Sequence, residues 1–385
     1  MHGRTSWRPG NSTRLADSGF HFLSAEYPPA NGGVSDYTRL LARALAQQHG
    51  TVHVWAPRVS GPEVPDEGVV VHRVADFGPR CLEEISERLP EATGPRRLFL
   101  QYVPTAFGFR GMNVPLIRWL LRRPEPLWIQ FHEVALGWKL WRKPHLHVVN
   151  AVEVWMAAAL ARRADRIFIS IEGWRPRLGR EGERAIWLPI PSNVPTDVPA
   201  SVVSATRREL GGGPWVGHFG TYSPGITRDL RPALRMVAGG APQASLLLVG
   251  RGATAFATSL GLGTRVRAEE DLSPEAVATR LAACDLLMQP FPDGISTRRT
   301  SAMAGLALGV PIVTSDGHLT DSVWRTSGAV SLAPVGRAEE LGRLCLQLLQ
   351  DPARREELGR RGKALYAERF SLERTRAVLQ STNNA

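Results

Sequence analysis

Residues 289–301 concentrate side chains that could bind a phosphate-bearing, hydroxyl-rich ligand. Asp293 could accept hydrogen bonds from sugar hydroxyls, and Arg298 and Arg299 follow it closely and could bind phosphate. Ser296 or Thr297 is predicted to cap the helix that follows, whose free N–H groups would add to an anion site. An ordinary loop with solvated arginines would contain the same residues, so the segment alone leaves both interpretations open.

Three other loops also follow predicted strands, at 26–33, 132–133 and 220–228. Ligands of open parallel sheets bind at the carboxyl ends of the strands. Gly32 and Gly33 would let a phosphate or a sugar hydroxyl approach the backbone where a helix begins. His132 could donate a hydrogen bond or act as a general acid or base. A plain strand-to-helix turn and a structural histidine are the alternatives at these positions.

The elements that must position these loops alternate between strand-like and helical patterns, which predicts an α/β protein with parallel sheets. The predicted strands lie at 20–24, 51–56, 69–74, 97–101, 127–131, 166–170, 215–219, 245–249, 285–289 and 310–314. Helices are expected from Val34, over 148–163, over 300–308 and from Ala338. Proline and glycine are dense between 189 and 213, as in a linker.

The chain therefore divides into two predicted lobes. We expect a disordered extension at 1–18, a first lobe at 19–190, a linker at 191–213 and a second lobe at 214–385. A further hypothesis is that the last helix crosses back to the first lobe.

The composition limits the classes of function. The 385 residues carry a formal net charge of +11, which suits anionic partners. The 3 cysteines are far apart and lack metal-ligand spacing, so we expect a cytoplasmic protein without a bound metal. No apolar run is long enough to span a membrane, and no nucleic-acid-binding pattern is present. Residues 138–143 mix tryptophans with cations, which raises the hypothesis of peripheral membrane contact, with a surface loop as the alternative.

The order and spacing of several short motifs resemble glycosyltransferase family 4, the retaining enzymes of the glycosyltransferase-B (GT-B) fold. The motifs lie at 26–29, 32–34, 101–104, 131–133, 217–220, 247–252, 285–294, 302–304 and 309–311. The resemblance implies two Rossmann-like lobes facing a central cleft, with the acceptor on the first lobe and a nucleoside diphosphate sugar mainly on the second.

The resemblance also implies roles for individual residues. His132 would face the donor sugar, and Asp293 would meet its hydroxyls; these two are the expected catalytic residues. The other expected donor-binding residues are Gly32, Gly33, Gly220, Thr221, Arg228, Gly250, Arg251, Gly294, Ile295, Ser296, Thr297, Arg298, Arg299 and Ser301. The expected acceptor-side residues are Asp36, Tyr37, Gln101, Tyr102 and Glu133.

Two positions depart from the family pattern. Ser301 stands where a glutamate usually binds the ribose hydroxyls, and Thr221 stands where an arginine usually binds phosphate. Arg228 is a candidate for the lysine of the same phosphate site. Arg298 and Arg299 could supply the missing positive charge from the facing loop.

These observations predict a retaining, metal-independent hexosyltransferase without a cofactor, acting in polysaccharide, glycolipid or natural-product biosynthesis. Charge on the departing nucleoside diphosphate would be stabilised by arginines and a helix start, and no Asp-x-Asp pair is present. A nucleotide-sugar epimerase or phosphorylase of the same fold, and a non-catalytic nucleotide-sugar-binding protein, are the alternatives.

Overall fold

The computed structural model describes residues 19–63, 65–89, 96–135 and 145–381. The hypotheses for residues 1–18 and 138–143 lie outside these ranges. Contacts divide the described chain into two units. The first comprises residues 19–130, 135–167 and 380–381, and the second comprises residues 131–134 and 168–379.

One sheet is formed by seven strands in the order β3-β2-β1-β4-β5-β6-β7. The strands are β1 (Gly19–Ser24), β2 (Val52–Pro57), β3 (Val69–Val74), β4 (Arg96–Tyr102), β5 (Leu127–Phe131), β6 (Arg166–Ile169) and β7 (Ile186–Trp187). The pairings of β1 with β2 and β4, of β2 with β3 and of β6 with β7 are parallel.

A second sheet is formed by six strands in the order β10-β9-β8-β11-β12-β13. The strands are β8 (Trp215–Phe219), β9 (Ser245–Val249), β10 (Val266–Glu269), β11 (Leu286–Gln289), β12 (Ile312–Asp316) and β13 (Ser331–Pro334). All five pairings within it are parallel. In both sheets the first strand lies between the second and the fourth, which is the doubly wound order of Rossmann-like folds. The predicted α/β class is therefore confirmed.

Helices connect the strands of both sheets. In the described residues they are α1 (Gly33–His49), α2 (Pro79–Arg88), α3 (Val114–Arg122), α4 (His145–Arg163), α5 (Ala200–Glu209), α6 (Pro224–Gly240), α7 (Ala253–Leu260), α8 (Pro274–Ala282), α9 (Thr300–Ala307), α10 (Ser322–Thr326), α11 (Ala338–Gln350), α12 (Pro352–Leu365) and α13 (Leu372–Ser381). A 3-10 helical segment, Glu172–Arg184, lies between β6 and β7. No described helix combines the length and the apolar composition needed to cross a bilayer.

The central strands are buried because helices cover both faces of a parallel sheet. Every residue of β5 and β11 is buried, and four of the five residues of β8 are. The predicted strands at 69–74, 127–131, 215–219 and 245–249 have the bounds of β3, β5, β8 and β9. Strands β7, β10 and β13 were not predicted, because they are short and mostly half-buried and so lack the buried apolar run of the central strands.

The predicted linker at 191–213 contains helix α5 and belongs to the second unit. Val194 and Leu210 pack in the hydrophobic core of that unit, so the segment is not a free connection. The proline and glycine residues mark turns around a short helix, and the contacts assign the whole of residues 168–379 to the second unit. At the other end of the chain, Gln380 in α13 groups with the first unit and its Nε2 donates to Gln48 Oε1 at 3.1 Å.

Arg265 anchors the end of α6 through three backbone carbonyls. Its guanidinium donates to the carbonyl oxygens of Ala238 at 2.8 Å and of Ala241 and Ala244 at 2.9 Å. These groups lie at and beyond the last turn of the helix, where carbonyls lack partners within the helix. A cation at a helix carboxyl end is also favoured by the helix dipole.

We expect Arg265→Met to lower the free energy of unfolding by about 2–4 kcal/mol, because three carbonyls lose charge-assisted hydrogen bonds. Urea denaturation followed by tryptophan fluorescence measures the change. Arg235→Met is the matched control, since Arg235 makes only 3.4 Å contacts to the carbonyls of Ser259 and Leu260 and should cost less than about 1 kcal/mol. Equal losses in the two variants would contradict this role of Arg265.

Candidate functional site

The strand order of the second unit places the site. Strands β8 and β11 are neighbours, and the connections that leave them run to opposite sides of the sheet order. Ligands of doubly wound sheets bind at such a switch point, at the carboxyl ends of the strands. The loops that begin at Gly220 and Pro290 start there, and the sequence predicts both as candidate ligand-binding loops.

Four charged side chains form an ion-pair network in the second unit. Arg298 Nη1 lies 2.7 Å from Glu133 Oε1, and Arg298 Nη2 lies 3.0 Å from Asp293 Oδ2. Arg299 Nη2 donates to the other oxygen of Asp293. Two carboxylates thus balance two guanidinium groups. The sequence predicted a cationic anion site here, and the structure corrects this to a network that is neutral overall. Glu133, predicted on the acceptor side, belongs to it.

The network holds its groups in their charged forms. Burial raises the pKa of Asp293, but Arg299 and Arg298 outweigh it, so the pKa of this carboxyl lies below its usual value. Burial lowers the pKa of Arg299, and Asp293 partly restores it. The guanidinium of Arg299 also lies 4.8 Å from the ring centroid of Phe291. The two arginines are therefore fixed by partners of this chain rather than by solvent.

The buried carboxylate of Asp321 fixes the loop that carries the network. Its Oδ2 accepts hydrogen bonds from Thr297 N at 2.8 Å and from Thr297 Oγ1 at 3.0 Å, and its Oδ1 accepts from Glu172 N at 2.9 Å. Thr297 Oγ1 also lies 2.6 Å from the carbonyl oxygen of Ser170. Sequence reasoning missed Asp321, which reads as an ordinary helix cap before α10 but makes no side-chain cap bond there.

The predicted capping of α9 by Ser296 or Thr297 is wrong. The helix begins at Thr300, and its N-cap is Arg299, which makes no side-chain cap bond. The carbonyl of Ser296 accepts the N–H of Arg299 in a turn before the helix, and the hydroxyl of Thr297 is bonded elsewhere. The start of α9 is thus separated from these hydroxyls by a full turn of loop.

Gly294 serves the backbone packing of the same loop. Its φ is +91°, and a Cβ at this position would lie 2.4 Å from Gly317 N and 2.2 Å from Thr320 Oγ1. Ile295, buried beside it, donates its N–H to the carbonyl of Ser315 at 2.8 Å. The glycine is therefore required by contact with the loop after β12, and a ligand is not needed to explain it.

His132 is a buried, neutral histidine in the second unit. Burial lowers its pKa to about 3, and the positive charge of Arg298 lowers it in the same direction. Its carbonyl oxygen accepts hydrogen bonds from Trp174 Nε1 at 3.0 Å and from Ser170 Oγ at 3.3 Å. The imidazole can exchange hydrogen bonds with a ligand at neutral pH, but it carries no positive charge there.

The loops after β8 and β9 meet through two glycines. Gly220 has a φ of +149° and Gly250 a φ of +114°, and a Cβ on Gly250 would lie 2.2 Å from the carbonyl oxygen of Gly220. Thr221 and Arg251, predicted to bind the donor, are exposed. The side chain of Arg228 is 60% exposed and lies 3.3 Å from Asp229 Oδ1, so it pairs outside the network.

In the first unit, the glycine loop accommodates a carboxylate. A Cβ on Gly32 would lie 2.1 Å from Glu26 Oε2, so this glycine makes room for that side chain. Burial raises the pKa of Glu26, while the backbone N–H of Ser35 at the start of α1 lowers it and Asp36 raises it. The phosphate predicted to bind at this helix end would meet a carboxylate already there. Gly33 is exposed, with open space around its α-carbon.

The remaining acceptor-side residues stay predictions, and three of them are buried side chains. Tyr37, Gln101 and Tyr102 are buried in the first unit, with at most 1% of each exposed. Tyr37 lies on the apolar face of α1, and burial raises the pKa of both tyrosines. Asp36 is half-buried in the first turn of α1. The three buried side chains, at the end of β4 and on the inward face of α1, thus pack in the interior of the first unit.

Comparisons with known proteins establish the fold. No protein-family model and no curated protein matches the chain. Sucrose-phosphate synthase from Thermosynechococcus elongatus superposes with a TM-score of 0.75 at 16% identity, over 95% of this chain and 98% of that one. HepE from Anabaena, solved with UDP and glucose, gives 0.67 at 17% identity, over 95% and 100% of the two chains.

WaaG, a glycosyltransferase of lipopolysaccharide biosynthesis, gives a TM-score of 0.66 at 14% identity, over 95% of this chain and 100% of that one. These structures are similar over nearly their full lengths. At such identities the likeness shows the fold alone. The chain therefore has the two Rossmann-like α/β units of the GT-B fold, as the sequence predicted.

We expect Asp321→Ala to lower the free energy of unfolding by about 2–5 kcal/mol, because the N–H groups of Thr297 and Glu172 would be left without an acceptor. Asp316→Ala is the matched control, since Asp316 forms a more exposed ion pair with Arg325 and should cost less than about 1 kcal/mol. Urea denaturation measures both. A loss for Asp321→Ala as small as that of the control would rule out this anchoring role.

The neutral form of His132 predicts a pH dependence of stability. Its pKa is about 3 in the folded protein and 6.5 as the ordinary value, so acid protonates the unfolded chain first. The free energy of unfolding should therefore fall between about pH 6 and pH 4, by up to ~1.4 kcal/mol per pH unit from this residue. His132→Gln should reduce that slope in urea denaturation. Near pH 8, where His132 is neutral in both states, the difference in free energy of unfolding between the two proteins should no longer change with pH. An unchanged slope would contradict the burial of a neutral imidazole.

Proposed function

We propose that this protein is a family 4-like glycosyltransferase that moves a hexosyl group from a nucleoside diphosphate sugar to an acceptor hydroxyl. The observation that supports it is the network of Asp293, Arg298, Arg299 and Glu133 at the switch point of the second unit. The fold adds support, because HepE, which shares it, has been solved with UDP-glucose.

Asp293 would bind hydroxyls of the donor sugar. Each of its oxygens accepts one guanidinium hydrogen bond, and a carboxylate oxygen has a further lone pair for a second donor. The two arginines fix the orientation of this carboxylate before the sugar arrives. Such preorganisation lowers the cost of aligning the donor.

Arg298 and Arg299 would stabilise the leaving group. When the glycosidic bond breaks, the nucleoside diphosphate gains negative charge, and prearranged donors in a partly buried site stabilise that charge strongly. Glu133 and Asp293 hold the two guanidinium groups in place during this change. In this proposal the arginines supply the positive charge, so the reaction requires no metal ion.

The transfer would proceed with retention of the anomeric configuration. The acceptor hydroxyl attacks the anomeric carbon from the side on which the phosphate leaves, and its proton passes to a phosphate oxygen. His132, neutral at the working pH, would orient the sugar through hydrogen bonds rather than act as a nucleophile.

We expect nucleoside diphosphates and their sugars to raise the melting temperature in a thermal-shift panel, since binding to the native state stabilises it. With the best donor, release of nucleoside diphosphate should depend on an added acceptor. Asp293→Asn should lower kcat by about 100-fold or more, because the donor sugar loses a charged acceptor and the arginines lose the carboxylate that holds them in place. Glu340→Gln, in a surface pair with Arg343, is the control and should leave kcat unchanged.

The remaining features of the proposal have their own measurements. Proton NMR of the first product formed should show the anomer of the donor, and EDTA should leave the rate unchanged. Release of nucleotide without acceptor would favour a hydrolase or epimerase, and binding without turnover on a broad acceptor panel would favour a binding protein. Absence of any thermal shift would remove the proposal. Flotation with anionic liposomes tests the separate hypothesis of membrane contact from residues 138–143.

A further inference from the structure

His218, in the middle of β8, has a tautomer that the structure defines. The imidazole is buried, with 2% of the residue exposed, and its Nδ1 lies 2.8 Å from the carbonyl oxygen of Met288 on β11. A carbonyl oxygen only accepts hydrogen bonds, so Nδ1 must carry the hydrogen and Nε2 must present a lone pair. Burial lowers the pKa of His218 to about 4, so this neutral form persists at neutral pH.

The lone pair of His218 Nε2 has no hydrogen-bond donor among the residues that the structure describes. A buried acceptor left without a donor costs about 1–3 kcal/mol, and such atoms are rare in folded proteins. Gln289, the last residue of the neighbouring strand β11, and Ser296, in the loop after it, also have buried side-chain polar atoms without a partner in the described ranges. Polar groups that lack partners thus gather where the connections of β8 and β11 begin.

Gly220 leaves open space near Nε2 of His218 and the hydroxyl of Ser301. A Cβ built on this glycine would lie 3.9 Å from His218 Nε2 and 4.0 Å from Ser301 Oγ, with no other contact within 4 Å. A ligand group that occupies the space beside Gly220 would therefore come near both atoms. One of them only accepts a hydrogen bond, and the other can donate or accept. The ring of Tyr222 packs edge-on against the imidazole, with centroids 5.1 Å apart, and forms one wall.

Two neighbouring hydroxyl groups match this pair of atoms. One hydroxyl can donate to Nε2 of His218, and the second can exchange a hydrogen bond with the hydroxyl of Ser301. A carboxylate is commonly used for such a diol, and at position 301 this chain has a serine. A carboxylate has two acceptor oxygens and a serine has one hydroxyl, so the neutral imidazole supplies the second acceptor. It does so without adding charge beside a diphosphate.

We propose that His218 Nε2 and Ser301 Oγ bind a vicinal diol of the donor substrate, on the ribose of the nucleotide or on the transferred sugar. This inference rests on the proposed function, because it assumes a nucleoside diphosphate sugar as the ligand. It adds a binding residue, His218, and assigns a role to Ser301 in place of the absent carboxylate.

Isothermal titration calorimetry with deoxy analogues tests the inference. The probes are UDP, 2′-deoxy-UDP, 3′-deoxy-UDP, UDP-glucose and UDP-2-deoxyglucose, or the same series on another base if that nucleotide binds more tightly. We expect the wild type to lose about tenfold or more in affinity on one deoxy substitution, since the lone pair of His218 is left without its donor. A loss on the ribose analogues places the diol on the nucleotide, and a loss on the sugar analogue places it on the transferred group.

The variant His218→Phe keeps a flat ring but removes the acceptor, so its ratio of native to deoxy affinity should fall to about one. Ser301→Ala should reduce the same ratio in part. His21→Phe is the matched control, because His21 is a buried histidine of the first unit and its loss should leave the ratio unchanged. A ratio is informative even when a variant is less stable, because both ligands meet the same folded fraction.

Nitrogen-15 NMR of histidine-labelled protein gives a readout independent of folding. The signal absent from His218→Phe should show an unprotonated Nε2 that shifts when the native ligand binds and shifts less with the deoxy analogue. Equal affinity of the wild type for native and deoxy ligands, or an unmoved Nε2 signal, would overturn the inference while the proposed function stands. Failure of every nucleotide to bind would overturn both.

Discussion

The arrangement of the site depends on a single buried carboxylate. Asp321 accepts hydrogen bonds from Thr297 and from the backbone of Glu172, so it connects the loop after β11 to the segment after β6. Burial raises the pKa of Asp321, and the hydrogen bonds it accepts counter part of this effect. Without those bonds the carboxylate would be an unstable group in the interior. The loop is consequently restricted to conformations that satisfy it, and Arg298 and Arg299 are placed next in the chain.

The neutral overall charge of the ion-pair network is the second constraint on the site. A pair of unpartnered arginines would bind any phosphate, but here Asp293 and Glu133 already occupy them. A diphosphate that approaches must share the guanidinium groups with two carboxylates. In the proposed reaction this sharing would reduce resting affinity, while charge that develops during bond breaking would be met by donors that need no reorganisation. The network would then favour the transition state over tight binding of the product, as the proposed transferase requires.

The sequence predicted the architecture well because the central parallel strands are mostly apolar and carry a strong local signal. Strands β5 and β8 have the bounds expected from composition alone. Sequence patterns are less informative where the contacts of a residue come from distant parts of the chain. The cap of α9 was misassigned because the helix begins at Thr300, and the hydroxyl of Thr297 contacts Ser170 and Asp321, which are distant in the sequence. The sequence does not show that a Cβ on Gly32 would meet the carboxylate of Glu26, six positions earlier in the chain. It also does not show that Tyr37, predicted on the acceptor side, lies on the inward face of its helix.

At position 301 this chain has a serine where the family that it resembles has a glutamate. The consequence of this difference can be judged only from the residues around it. From the sequence, a serine in place of a carboxylate removes a charge and one acceptor. In the structure, the hydroxyl of Ser301 and the lone pair of His218 flank the same point above Gly220. The tautomer of His218 is dictated by the carbonyl of Met288 on the adjacent strand. The hydrogen-bonding capacity for a diol can therefore be retained by two neutral groups on different elements, and no motif that reads position 301 alone would detect it.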